Sequence, residues 1–283
     1  MATGFRSPPR HRIRPPHEYH LDRRAADLLS ADLTAFVESG VRPAEPEFYD
    51  RHWVDLELLP TGLRDFLWRF RMTESHAACV LRGLPVSDAE TPPHWNVPHF
   101  LNGALVQETL LALIALCVGD PFARAGVQNG RMVQNLLPTD LDRGDLHTQT
   151  GSHADYLALL GMRDGRATLA SVRDVDLDDA TREVLAQPRF RFADGPAAML
   201  SGDPADPYLR LDRCLPVDPE ARLALDHLLA ALDHVRQDVP LDAGSLLLVD
   251  NYRVACGRLT GDWLKRILIS RNLRRTPANT RIR

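Results

Sequence analysis

The sequence lacks the features of a disulfide-bonded, secreted or membrane-spanning protein. It has 4 cysteines in 283 residues, and none of them shows the paired spacing of a disulfide framework or a zinc knuckle. The longest apolar run, Leu110 to Val118, is too short to cross a bilayer, which takes about 20 residues. There is no pattern of a secretory signal peptide. These absences predict a cytoplasmic protein with free thiols.

The chain also lacks an excess of positive charge. Its 34 basic and 38 acidic residues give a net charge of -4, which argues against nucleic acid as a partner. The apolar fraction of 44% and the charged fraction of 25% are those of an ordinary globular protein. We therefore expect a small molecule as the partner and neither nucleic acid nor a membrane.

Hydrophobic periodicity divides the chain into a helical first part and a strand-rich second part. The helical pattern covers residues 23–38, 62–70, 106–118, 178–186 and 219–237. Short apolar runs predict strands at 77–81, 132–136, 155–161, 166–172, 189–192, 245–249 and 264–270. This order predicts an α+β fold, in which an antiparallel sandwich or small barrel is braced by N-terminal helices.

The first residues differ from the rest of the chain. Arginine, proline and histidine dominate the start without any apolar period, which predicts a flexible N-terminal arm over residues 1–20. Residues 21–283 are then predicted to form a single domain.

Two stretches, Asp145 to His153 and Val249 to Arg258, are the best candidates for a functional site. A His-x-acid pair just before a strand, followed about a hundred residues later by a second histidine, presents a 2-His-1-carboxylate face to Fe(II). This chain has the two stretches at that separation, but it does not have the full set of ligands.

Several short sequence segments along the chain carry a family resemblance. They are Thr91 to Trp95, Val118 to Phe122, His147 to Thr150, Ala154 to Tyr156, Ala167 to Val172, Asp206 to Arg210, Gly244 to Asn251 and Trp263 to Arg266. From about Arg51 to Ser270, the sequence resembles the clavaminate synthase-like branch of the Fe(II)/2-oxoglutarate oxygenases, which includes arginine β-hydroxylases of antibiotic pathways. The resemblance implies a double-stranded β-helix, or jelly-roll, core. It also implies natural-product biosynthesis on an amino-acid-like substrate, free or carrier-bound.

The ligand positions implied by the resemblance are altered. His147 is kept, but Gln149 stands at the acid position and Cys256 at the second histidine. Asp262 stands where the family has the arginine that grips 2-oxoglutarate. There a carboxylate would repel the cosubstrate's own carboxylate.

These changes lead to a hypothesis of metal-independent, non-redox catalysis with no cofactor. Two ligands that lie about 2.1 Å from one metal ion, at right angles to each other, stand about 3 Å apart. Without metal, His147, Gln149 and Cys256 should therefore converge as an activated thiol beside an imidazole base. Such a pair could serve cyclisation, acyl transfer, hydrolysis or proton transfer. The alternatives are an Fe(II)/2-oxoglutarate hydroxylase that uses His147 and some mixture of Gln149, Cys256 and His153 as ligands, and a non-catalytic binding protein.

A further set of polar residues is predicted to contact the substrate. Asp212 resembles the acidic region that receives a basic side chain in the arginine hydroxylases, and Arg258 and Arg266 could hold a carboxylate. Structural ion pairs or satisfied loops are the alternative for each. The full set of predicted substrate-binding residues is Gln128, Asn129, Asn135, His153, Thr168, Asp212, Arg258 and Arg266.

Overall fold

The computed structural model describes residues 16–97, 103–138, 144–148, 154–273 and 281–282. Its helices in these ranges are α1 (Arg23–Glu38), α2 (Pro46–Arg51), α3 (Thr61–Thr73), α4 (Leu105–Val118), α5 (Asp179–Leu185) and α6 (Pro219–His234). A 3-10 turn over His52–Leu58 joins α2 to α3. None of these helices combines the length and the apolar character that crossing a membrane requires.

The strands lie mostly in the second half of the chain, as predicted. They are β1 (His17–His20), β2 (Ala78–Arg82), β3 (Asp120–Arg124), β4 (Gln134–Leu136), β5 (Tyr156–Gly161), β6 (Gly165–Ser171), β7 (Phe190–Phe192), β8 (Gly195–Ala197), β9 (Leu200–Asp203), β10 (Asp206–Leu209), β11 (Leu215–Pro216), β12 (Gln237–Pro240), β13 (Leu246–Asp250), β14 (Val254–Gly261), β15 (Leu264–Ser270) and β16 (Arg281–Ile282).

Strand β1 corrects the predicted arm. Residues His17–His20 pair in parallel with β2, so these four residues belong to the sheet and not to a flexible segment. The pairing supplies main-chain hydrogen bonds that a loosely draped arm would lack.

A large sheet and a small sheet face each other. The large sheet has the order β1-β2-β13-β5-β15-β3-β16, with β4 also paired to β15, and the small sheet has the order β12-β6-β14. Buried apolar side chains from both sheets fill the space between them. This is the predicted jelly-roll architecture.

Strand β5 of the large sheet has no polar face. Every residue from Tyr156 to Gly161 is buried, because each side of the sheet is covered. Leu157 and Leu159 point toward the small sheet, whereas Ala158 and Leu160 pack toward the helical layer of α1, α3 and α4. Such two-sided burial produces a continuous apolar run in the sequence.

An insert between β6 and β12 covers the outer face of the small sheet. It contains α5, the short strands β7 to β11, and α6. Its apolar residues pack on Ala170 of β6 and Ala255 of β14. Helix α6 begins after Asp218, whose carboxylate accepts a hydrogen bond from the main-chain N–H of Ala221 at 2.9 Å, a typical N-terminal cap.

Candidate active site

His147 and Cys256 lie opposite each other at the edge of the small sheet. The main-chain N–H of His147 donates to the Cys256 carbonyl at 2.8 Å, and the reverse bond measures 2.9 Å. Residues paired in this way present their side chains on the same face of a sheet. Cys256 is 4% exposed and belongs to the core between the sheets. The fold therefore brings together these two predicted site residues, whereas Gln149 and His153 lie outside the described residues.

The Cys256 thiol is not activated by this arrangement. Burial raises its pKa to about 12, which leaves the thiol neutral near pH 7. Within the described residues, the His147 ring makes no hydrogen bond to the thiol; its Nδ1 lies 3.0 Å from the carbonyl oxygen of Asp145. Main-chain pairing holds the two side chains side by side without joining sulfur to nitrogen. The structure thus gives no support to a Cys-His nucleophile.

Thr168 lies on the opposite face of the small sheet from Cys256. The cross-strand partner of Cys256 is Leu169, and side chains alternate along a strand, so the neighbouring Thr168 points outward. Its hydroxyl donates to the Asp238 carboxylate at 2.6 Å. The structure therefore separates Thr168 from the space that Cys256 faces.

Arg266 points into the space between the sheets. It lies two residues from both Leu264 and Leu268 on β15, so it shares the face of these two residues, which belong to the inter-sheet core. Both its Nε and Nη2 donate to Gln134 Oε1, at 3.0 and 2.6 Å. Asp262, in contrast, is exposed in the turn that precedes β15. The Asp262 carboxylate, which was expected to repel the cosubstrate, therefore lies at the end of a strand, whereas the Arg266 guanidinium faces the space between the sheets.

Arg258 is exposed on β14. It lies within the irregularity between Cys256 and Leu259, where the register of the β14–β6 pairing shifts. The structure places it outside the inter-sheet core that contains Cys256.

The predicted amides near β4 make contacts within the protein. The Gln128 side chain donates to the main-chain oxygen of Asn135 at 2.6 Å and accepts from its N–H at 3.0 Å. The side-chain oxygen of Asn135 accepts from Trp263 Nε1 at 3.0 Å and from Lys265 Nζ at 2.9 Å. Asn129 has a left-handed φ of 55° in the turn before β4. Gln128 and Asn135 thus fix β4 to its surroundings.

Asp212 of the insert lies close to His147, because their chain neighbours Leu211 and Thr148 are hydrogen-bonded. The main-chain N–H of Thr148 donates to the Leu211 carbonyl at 2.8 Å, and the Leu211 N–H donates to Thr148 Oγ1 at 2.8 Å. A cavity of about 1560 Å³ is lined by residues that include His147, Thr168 and Asp212. These three predicted residues therefore share one cavity, although Thr168 lies on the opposite face of the small sheet from Cys256.

Sequence reasoning missed Arg253, which lies three residues before Cys256. Its side chain is 4% exposed and is held by carboxylates, including Asp250 at 2.7 Å and Asp206 at 2.9 Å. The available indication was an arginine directly before the apolar pair Val254 and Ala255, because a charged side chain is almost never buried without a partner.

Comparisons with known proteins identify the family. The chain is 31% identical to enduracididine beta-hydroxylase of Streptomyces hygroscopicus, over 90% of this chain and 94% of that relative. It is 31% identical to clavaminate synthase 2 of Streptomyces clavuligerus, over 71% and 74% of the two chains. A crystal structure of the non-heme iron oxygenase OrfP in complex with Fe matches with a TM-score of 0.83 at 27% identity, over 94% and 99% of the chains.

The chain belongs to the clavaminate synthase-like family of non-heme iron oxygenases. No family model matches the chain, so the assignment depends on these relatives. The predicted family, its arginine hydroxylase branch and the jelly-roll fold with N-terminal helices are confirmed.

Membership of the clavaminate synthase-like family overturns one expectation. A solved OrfP structure holds Fe and alpha-ketoglutaric acid, with a TM-score of 0.82 and 27% identity to this chain. The expectation that this site works without a cofactor is therefore wrong. The altered positions do not by themselves exclude a metal, because a cysteine thiolate can also ligate iron.

The residues that the structure describes fit an iron ion in part. His147 and Cys256 offer a nitrogen and a sulfur donor side by side, and metals bind cysteine as the thiolate. No group of three or more histidine, cysteine, aspartate or glutamate side chains within the described ranges could hold a metal. Position 149 lies outside those ranges. The strand pairing is thus suited to a metal, although one of the two described donors, Cys256, stands in place of the histidine of the standard site.

Proposed function

We propose that the chain is an Fe(II)- and 2-oxoglutarate-dependent oxygenase that hydroxylates a basic amino acid or a close derivative. The observation that carries the proposal is the placement of Asp212 beside His147 in a single cavity. A carboxylate there suits a guanidinium or ammonium group, which it can bind by charge-assisted hydrogen bonds.

One relative and one solved structure support this substrate class, whereas another relative, 32% identical over 93% of this chain, is an L-asparagine oxygenase from Streptomyces coelicolor. One relative, 26% identical over 76% of this chain, is an L-ornithine/L-arginine 3-hydroxylase from Catenulispora acidiphila. An OrfP crystal structure contains Fe and L-Arg. Free amino acids are therefore better supported than carrier-bound ones, which stay a prediction.

Several side chains have distinct roles in this proposal. His147 and Cys256 would hold the metal together with position 149. Arg266, oriented by Gln134, would bind a carboxylate between the sheets. Bound iron and 2-oxoglutarate would supply the oxidising chemistry of hydroxylation.

The first test is an anaerobic titration of the protein with Fe(II) and 2-oxoglutarate. A visible charge-transfer band should appear, and aerobic incubation with L-arginine should yield a product that has gained one oxygen atom. An Asp212→Asn variant is the matched control, because it should keep the band and lose the product. Absence of both band and product in the unmodified protein would refute the proposal.

A second candidate is a binding protein that keeps the amino-acid pocket without turnover. It is favoured by one observation, the buried Cys256 side chain at a position where the family has a histidine ligand. Calorimetry separates the two functions: a binding protein would bind L-arginine at Asp212 and give neither the band nor the product.

A further inference from the structure

Arg253 is the centre of a group of charged side chains that join distant parts of the chain. Its Nη1 donates to Asp250 at 2.7 Å, and its Nη2 lies 3.0 Å from Glu74. Its Nε and Nη2 both reach Asp206, at 3.2 and 2.9 Å. An arginine fork with five donors holds its partners at fixed angles. Arg253 thereby fixes Asp206 of the insert to the turn between β13 and β14.

A second arginine holds the same carboxylate. The Nε and Nη2 of Arg173 donate to Asp206 at 2.6 and 2.8 Å, and its Nη1 donates to the Glu74 carbonyl at 2.7 Å. These hydrogen bonds and charges hold the pKa of Asp206 well below its usual range, so the carboxylate stays ionised. Asp206 therefore accepts hydrogen bonds from two guanidinium groups.

The segment that follows Asp206 leads directly to the candidate active site. Arg253 stacks on the Tyr208 ring at 4.7 Å. The Leu209 N–H donates to the Tyr252 carbonyl at 2.6 Å, and Leu211 exchanges two hydrogen bonds with Thr148. The chain from 206 to 211 is thus attached at each end, with Asp212 as the next residue.

We infer that Arg253 is a positioning residue, which fixes the 206–212 segment so that Asp212 meets the substrate at the correct place beside His147. The inference rests on the proposed function, since it assigns Arg253 a part in substrate binding at the same site. Arg253 itself is not among the residues that line the cavity.

The energetics favour positioning over simple stabilisation. Buried ion pairs gain little net stability, because the loss of hydration offsets the attraction between the charges. Their better-attested use is to fix one geometry among several. Arg253 has this character: its side chain is 4% exposed, and its carboxylate partners come from three separate parts of the fold. Small displacements at a binding site are costly, and a shift of about 1 Å can reduce a rate by about a hundredfold.

The test combines amide hydrogen exchange with L-arginine binding in Arg253→Lys and Asp206→Asn. The lysine keeps the positive charge but loses the fork of donors, and the asparagine keeps the shape of the carboxylate but loses its negative charge. Both variants should speed exchange at the Leu209 and Leu211 amides and weaken L-arginine binding about tenfold.

Arg189→Lys is the matched control. Arg189 holds the Asp218 carboxylate by a similar fork, at 2.9 and 2.7 Å, but neither residue belongs to the 206–212 segment. This control should leave the Leu209 and Leu211 amides and L-arginine binding unchanged.

The outcomes are distinguishable. Unchanged exchange at Leu209 and Leu211 in a folded Asp206→Asn protein overturns the inference, as does faster exchange spread evenly over the whole chain. Local acceleration together with weaker L-arginine binding supports it. If exchange rises locally but the unmodified protein binds no L-arginine, the segment is still positioned by Arg253 and the proposed substrate is wrong.

Discussion

The Cys256 thiol should react far more slowly than an ordinary cysteine. A thiol with a pKa of about 12 is ionised to about one part in ten thousand at pH 8. An ordinary cysteine, with a pKa of about 8.5, is about one quarter thiolate at that pH, a difference of about 2000-fold. Alkylation requires the thiolate, and burial further limits access of the reagent.

Iodoacetamide labelling of the metal-free protein at pH 8, followed by peptide mass spectrometry, measures this difference. Cys214 is the internal reference, because it is only partly buried; burial raises its pKa too, so it should react before Cys256 but by less than the full difference from an ordinary cysteine. Cys79 is fully buried, and burial raises its pKa further, so it should react as slowly as Cys256 or more slowly.

A His147→Ala variant tests the cause of the low reactivity. Because the imidazole makes no hydrogen bond to the thiol within the described residues, its removal should leave the labelling rate of Cys256 unchanged. Labelling of Cys256 as fast as Cys214, with a loss of rate in His147→Ala, would refute the reasoning and restore the Cys-His pair.

Iron binding should change the state of the thiol. If Cys256 is a ligand, Fe(II) binding must release its proton, and anaerobic calorimetry in buffers of different ionisation enthalpy should detect that release. Cys256→Ala should abolish it. Equal proton release by the variant would show that Cys256 is not a ligand.

Further predictions concern charged groups in and around the site. Lys265 and Glu108 are both fully buried and 2.5 Å apart; Lys265→Met alone should cost about 3–5 kcal/mol of unfolding free energy in urea, because it leaves a buried carboxylate. Adding Glu108→Leu should recover most of that loss, and a simple sum of the two single costs would contradict this. The lowered pKa of Asp206 stabilises the fold above its unfolded pKa of about 3.9, and this contribution is lost as the pH falls. The stability difference between the unmodified protein and Asp206→Asn should therefore shrink below about pH 4; a constant difference would exclude the ion pairs as its cause. Asp212→Asn should weaken L-arginine binding but not that of a neutral amino acid, as calorimetry can show.

Strong local patterns allowed much of the fold to be predicted. The periodic residues of α1 gave its observed bounds, Arg23–Glu38, and the apolar run of α4 was placed within one residue of its start. Strand β1 was missed because HEYH has no apolar alternation, and its partner β2 lies about sixty residues further along the chain. Non-local pairing of this kind leaves no local pattern.

The position of the candidate site could be predicted from the sequence, but the roles of its side chains could not. Pairing of His147 with Cys256 follows from the family frame, and the structure shows it. The roles of Thr168 and Gln128 depend on the face of a strand and on the partners nearby, which spacing does not reveal. Arg253 was missed because its partners Glu74 and Asp206 are far away in sequence.

The sequence alone determined the family frame and the identity of the groups at its ligand positions, because these are properties of residue type and order. Only the tertiary structure decided that the Cys256 thiol is buried and neutral, that Arg266 faces the interior, and that Arg253 joins the insert to the turn between β13 and β14. The physical reason is that pKa, burial and ion pairing depend on neighbours brought close by folding.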